Sequence, residues 1–124
     1  MNFADCVLKL CAESDVPVFF EPTDPRKGAK ALKSPWTKAI KYTSPNIHEL
    51  CNMVGQEINA SNLLNGCDAL GRNLMRQMPG AAAIIITLGE HGVLLIERLI
   101  SNSSLIYSIG LSHTDNIRIG MVYL

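Results

Sequence analysis

Two short stretches of this chain carry residue types that could do chemistry. The first is Asn46-Ile47-His48-Glu49, which follows Ser44-Pro45 at a helix start. An amide and a carboxylate three residues apart can cap the helix: Asn46 accepts from backbone amides, and Glu49 reaches back while its charge suits the positive helix end. The same pair, at the carboxyl end of a strand, can order water around Mg²⁺ held by nucleotide phosphates, because Mg²⁺ keeps most of its waters and uses few protein carboxylates. Spacing alone leaves both readings open. The second stretch is Thr87-Leu88-Gly89-Glu90-His91-Gly92. Its two glycines fit a tight turn between strands. They also let backbone amides approach an anion, and a threonine hydroxyl can add a hydrogen bond.

Other chemistry finds less support. No Gly-x-x-x-x-Gly-Lys-Ser/Thr loop occurs, and no Gly-x-Gly-x-x-Gly follows a strand. His48, His91 and His113 are scattered, with no pair at metal-ligand spacing and no third ligand. No Ser-His-Asp or Cys-His set can be assembled, so no catalytic residue is assigned. Cys6, Cys11, Cys51 and Cys67 form no Cys-x-x-Cys pair, which reads as reduced, mostly buried thiols in a cytosolic protein. Six basic residues and no acid lie between Arg26 and Lys41. Arg26, Lys30 and Lys33 share a helical face there, which reads as a solvated surface helix or as an attractor of anionic ligands. Only Trp36 interleaves with them, so nucleic acid is not expected as a partner.

These residues need elements to hold them. Phe3, Val7, Leu10 and Cys11 share a helical stripe over residues 3–13, with Leu8 beside it. Val16 to Phe20 reads as a short buried strand, ended by Glu21-Pro22-Thr23-Asp24-Pro25. Residues 26–33 fit a short helix, and Ala39 to Thr43 a second strand. Residues 46–56 and 61–77 read as helices, the second with Leu63, Leu64, Ala69, Leu70 and Leu74 on its apolar face. Ala81 to Thr87 holds three consecutive isoleucines, so burial on both faces is expected, and Val93 to Ile96 is a further strand. Past Glu97 the helices stop and short β-like runs follow, Leu105 to Ile109 and Ile117 to Leu124. Strands alternating with helices imply an α/β fold with a parallel sheet covered on both sides. So few strands leave edges unpaired, as in an incomplete fold.

Composition sets the outer bounds. A chain of 124 residues is one domain by length, and 48% hydrophobic content with 18% charged excludes a disordered chain. Eleven basic and eleven acidic residues cancel, so no global charge recommends nucleic acid or an anionic membrane. No apolar run reaches the ~20 residues of a membrane span. The first residues lack the basic start and apolar run of a signal peptide, which points to the cytoplasm.

Taken in order, Pro17-Val18-Phe19-Phe20-Glu21-Pro22-Thr23, Tyr42-Thr43-Ser44-Pro45-Asn46-Ile47-His48-Glu49-Leu50 and Ile86-Thr87-Leu88-Gly89-Glu90-His91-Gly92-Val93 resemble the ribokinase-like (PfkB-type) carbohydrate kinases. The strand ending in Phe-Glu-Pro-Thr looks most like the pseudouridine kinase branch. The resemblance implies a three-layer α/β/α, Rossmann-like fold over residues 1–97, with 98–124 as a divergent β-like tail. It implies transfer of the ATP γ-phosphoryl group to a sugar or nucleoside hydroxyl, with Mg²⁺ and room for a monovalent cation. By that resemblance Asn46 and Glu49 help place Mg²⁺ and phosphate through water, while Thr87, Gly89 and Gly92 line the nucleotide phosphates. The family's Gly-Ala-Gly-Asp segment, which supplies base and anion hole, does not occur in this sequence, and neither does the sugar-binding amino-terminal half. The chain therefore resembles a carboxyl-side piece of a kinase, of the kind a truncated or alternatively spliced product would be. It is expected to be inactive alone. The alternative is a non-catalytic nucleotide-binding or interaction module that associates with itself or another chain through exposed sheet edges.

Overall fold

The computed structural model describes residues 2–98 and 117–122. Helix α1 (Phe3–Glu13) opens at Asn2, whose Oδ1 accepts from the Asp5 amide at 2.8 Å. It ends where Asp15 takes a left-handed backbone, φ 55°. Strand β1 (Val18–Phe20) leads to α2 (Pro25–Leu32), which is capped by Asp24 through the Arg26 amide at 2.9 Å. That backbone bond, then the Arg26 side chain, hold the Asp24 carboxyl below its ordinary value. A short 3₁₀ turn at Thr37–Ala39, tied by Thr37 Oγ1 donating to Ala31 O at 2.6 Å, delivers the chain to β2 (Ile40–Thr43). Then come α3 (Ile47–Val54), closed by left-handed Gly55, and α4 (Leu63–Gln77). Strands β3 (Ala83–Thr87), β4 (Val93–Arg98) and β5 (Ile117–Val122) complete the order.

The sheet runs β1-β2-β3-β4-β5. The first three strands are parallel, as short strands joined by helical crossovers must be. The expectation of a parallel sheet holds only that far. β4 and β5 are antiparallel to their neighbours, because the Gly89–Gly92 turn reverses the chain directly. Leu105 to Ile109 lies outside the described residues.

Helices were expected on both faces, and among the described residues they cover one. Ile40, Ile84, Ile86, Leu94 and Ile96 are fully buried beneath them with Leu50, Leu74, Met75 and Met78. Full burial of each such side chain is worth about 1.5–3 kcal/mol. Helix α4 comes so close that a Cβ on Gly71 would collide with Ile86 and Ile96. The opposite face carries Phe19 and Tyr42, 54% and 42% exposed, with Ile85 and Leu95 half-buried. Among the described residues, therefore, one helical layer packs on the sheet.

The one-sided cover by the described helices explains several corrections. Val16 to Phe20 is not a buried strand, since β1 is an edge and Val16 and Phe19 are exposed. The Phe3-Val7-Leu10 stripe points outward, and Leu8 is the α1 residue that is buried. Ile84 and Ile86 are buried but Ile85 only partly, so the isoleucine strand is sealed on its helix side alone. Two further corrections have local causes. On α4 the buried face is Cys67, Leu70, Gly71, Leu74 and Met75, while Leu64 and Ala69 are exposed, because close contact with β3 and β4 selects the small Gly71. Of the four cysteines, all free, Cys67 is buried, Cys11 and Cys51 half-buried and Cys6 exposed. Desolvation pushes the Cys51 and Cys67 thiols up, which disfavours reactive thiolates.

Candidate functional site

At the carboxyl end of β2 the chain turns through Ser44-Pro45 into α3. Asn46 Oδ1 accepts from the Glu49 amide at 2.8 Å, and Glu49 Oε1 accepts from the Asn46 amide at 2.9 Å. Both halves of the capping box are present. The capping reading of the pair is therefore realised. It fixes the Glu49 carboxylate, 8% exposed, behind the exposed Asn46.

One strand over, β3 leaves the sheet beside this turn. Asn46 and Thr87 form a parallel backbone bridge, and the Thr87 amide donates to Pro45 O at 3.0 Å. The chain then makes a 3₁₀ turn at Gly89–His91. It is closed by the Leu88 amide to Gly92 O at 2.8 Å and the Gly92 amide to Gly89 O at 3.3 Å. Gly89 (φ 60°) and Gly92 (φ 96°) both occupy positive-φ backbone, which side-chain-bearing residues rarely adopt.

The two turns rim one open cleft of about 470 Å³. It is lined by Asn46, Ile47 and His48 on one side and Thr87, Leu88, Gly89, Gly92 and Val93 on the other. Four of the five residues singled out in the sequence, Asn46, Thr87, Gly89 and Gly92, meet there. Glu49 does not line it, because its side chain is folded back as a cap. The sequence reading did not single out Ile47, His48 or Val93 for this place. Positions one and two of α3, and the residue after Gly92, were the signal that could have found them. A Cβ on Gly89 would meet no atom within 4 Å, so the turn faces open space.

A larger cleft, about 580 Å³, lies at the entering ends of the strands, lined by Asp15, Val16, Pro17, Lys38, Lys41 and Gly80 among others. In open α/β sheets ligands bind beyond the carboxyl ends of the strands, which favours the smaller cleft. Arg26, Lys30 and Lys33 are exposed, as a solvated helix face requires. Among the described residues no three His, Cys, Asp or Glu side chains come together to hold a metal ion directly. No described helix is long and apolar enough to cross a membrane.

No family model matches the chain, and no curated protein matches it in sequence. Solved structures do match. The chain is similar to ribokinase from Cryptococcus neoformans var. grubii, in complex with ADP, at 22% identity and TM-score 0.62, covering 76% of this chain and 32% of that one. It is similar to phosphofructokinase-2 from Escherichia coli, in a tetrameric inhibited form, at 14% identity and TM-score 0.57, covering 75% and 28%. It is also similar to Arabidopsis thaliana ribokinase complexed with ribose and ATP, at 18% identity and TM-score 0.52, covering 73% and 27%. The fold is therefore the ribokinase-like α/β fold. The chain spans roughly three-tenths of the length of these kinases.

Proposed function

We propose that this chain is a piece of an ATP-dependent sugar or nucleoside kinase that keeps part of the nucleotide site. The observation that carries the reading is the backbone bridge between Asn46 and Thr87, which sets the Asn-x-x-Glu turn and the glycine turn on one cleft. In this reading the Thr87 hydroxyl and the amides at the start of the turn, Gly89 and Glu90, receive the phosphates of ATP, while the His91 and Gly92 amides close the turn on Leu88 O and Gly89 O. A single carboxylate and a single amide suit a Mg²⁺ that keeps its waters and arrives on the phosphates, so Asn46 and Glu49 act through water. That ion would supply charge neutralisation of the triphosphate. The capping box fixes Glu49 behind Asn46 and off the cleft lining, so its carboxylate would act on the ion only through water and through the placement of Asn46.

Phosphoryl transfer forms an acceptor O–Pγ bond, breaks the bond from Pγ to the β-phosphate oxygen, and needs a base for the acceptor's proton. The sequence holds no Gly-Ala-Gly-Asp segment to supply that base, so the chain alone is inactive. Residues 1–97 carry the kinase-derived part and 98–124 a divergent tail. Phe20-Glu21-Pro22-Thr23 supports pseudouridine as the parent's acceptor, and a cytoplasmic setting, with ATP and a monovalent cation, fits such an enzyme.

The reading is tested by thermal stabilisation of the purified chain with MgATP. A shift that disappears in Thr87→Val and Gly89→Val is expected, with no turnover of pseudouridine or ribose. Absence of any shift at millimolar MgATP sinks it. The second reading, a non-catalytic module, is favoured by the uncovered sheet face. It predicts concentration-dependent association with no nucleotide response.

A further inference from the structure

None of the six basic residues between Arg26 and Lys41 lines the cleft beside the Gly89–Gly92 turn. The structure divides them. Arg26 is paired with the Asp24 carboxylate at 3.4 Å, Lys33 forms the C-cap of α2, and Lys38 and Lys41 line the cleft at the entering ends of the strands. Lys27 and Lys30 remain, exposed on α2, with no close ion pair among the described residues.

Both lysines border a groove of about 480 Å³ between α1 and α2, beside the edge strand β1. Val18 and Phe20 line it from β1, Phe3 and Val7 from α1, and Ala31 from α2. Phe3 is 85% exposed and Val7 39%, so apolar surface in the groove meets water. Asp5 is the one acid among the described lining residues, against two ammonium groups. It sits in the first turn of α1, where the helix dipole already favours its charge.

We propose that this groove binds a small organic anion with an apolar body, a carboxylate on a medium-length hydrocarbon chain. The nucleotide reading plays no part in it. Apolar lining and cationic rim coincide here, and that combination suits an amphiphilic anion. Lys27 and Lys30 are three residues apart on one helix, so they are neighbours on its surface and one carboxylate can meet both. Their stems lie along apolar surface while the ammonium groups stay in water, which keeps the carboxylate at the mouth and desolvates the chain behind it. The volume falls in the range of small-molecule sites, roughly 300–1,000 Å³. The chain supplies most of the affinity, since each methylene fully buried tightens binding about fourfold. An exposed ion pair adds about fivefold at most.

Amide chemical-shift titrations of the ¹⁵N-labelled chain with octanoate, hexanoate and octanol test this. Octanoate should shift residues 3–8, 18–20 and 27–31 and saturate with a Kd on the order of 1 mM. Hexanoate, two methylenes shorter, should bind about tenfold more weakly. Octanol should bind about fivefold more weakly. The double variant Lys27→Ala with Lys30→Ala should hold octanoate no better than octanol, with octanol unchanged. Val7→Asp should abolish octanoate binding with the circular dichroism unchanged; if it unfolds, Phe3→Asp decides in its place. Absence of saturable shifts overturns the proposal. So does octanol binding as tightly as octanoate, or a double variant that keeps full octanoate affinity. Shifts gathered around Asp15, Lys38 and Lys41 also overturn it, because they move the anion to the other cleft.

Discussion

The two ends of β3 use their polar groups differently. Where the strand enters, polar groups are used up within the protein. Arg98 Nε donates to Ala81 O at 2.9 Å, and its Nη2 donates to Met75 O at 2.7 Å and Met78 O at 3.2 Å. That guanidinium closes the last turn of α4, where carbonyls lack partners and the helix dipole favours a cation. Gly80 sits so near the Lys38 backbone that a Cβ would collide with it. Where the strand leaves, Thr87 is exposed and Gly89 faces open space. One glycine is required by packing, the other by its left-handed backbone and by what can approach it. A cavity exists at both ends, so the use of the polar groups, rather than the volume, separates a structural end from the proposed binding end.

Substitutions can break this contrast, and the largest effect belongs to the closed end. Arg98→Ala should cost about 2–4 kcal/mol in urea unfolding, because three backbone carbonyls lose a charged donor, while any MgATP-induced shift of the melting temperature persists. Asn46→Ala removes half of the capping box and should cost about 1–2 kcal/mol, read in the same way. Thr43→Val acts in the other direction. Its Oγ1 is buried without a hydrogen-bond partner, and the swap should stabilise by up to about 1 kcal/mol. Thr87→Val, at an exposed strand end, should change stability by less than about 0.5 kcal/mol yet abolish the MgATP response. The smallest effect is at Asp24, away from both ends. Its folded pKa lies below the ordinary 3.8, so its cap bond contributes fully above that value and fades as pH falls through the lower folded one. An acid titration of Asp24→Asn against wild type should show the difference only above that range.

Much of this was legible in the sequence, for identifiable reasons. The helix over residues 3–13, the Asn46 start of α3 and the Gly89–Gly92 turn rest on local chemistry: caps, proline position and positive-φ glycines. Local chemistry survives whatever the rest of the chain does. The adjacency of Asn46 and Thr87 came from the resemblance, since residues forty positions apart leave no local signal of contact. What was misjudged depended on neighbours. Phe3, Val7 and Phe19 have the pattern of buried residues, but no described element covers them. Ile85 belongs to an isoleucine run whose second side is half-buried, with no described helix over it. The antiparallel β4 follows from a turn too short for a crossover, which the four residues Gly89 to Gly92 already imply. Glu49 was read as facing a ligand and as a cap; the cap bond accounts for its absence from the cleft lining.

The central claim is that nucleotide phosphates meet the chain between the first turn of α3 and the Gly89–Gly92 turn. Amide chemical-shift mapping of the ¹⁵N-labelled chain during a MgATP titration tests it most directly. The account predicts shifts concentrated at Ile47, His48 and residues 87–93, lost in Gly89→Val. Shifts gathered instead around Asp15, Val16 and Lys38 at the other end of the strands, or none at all at millimolar MgATP, would contradict it.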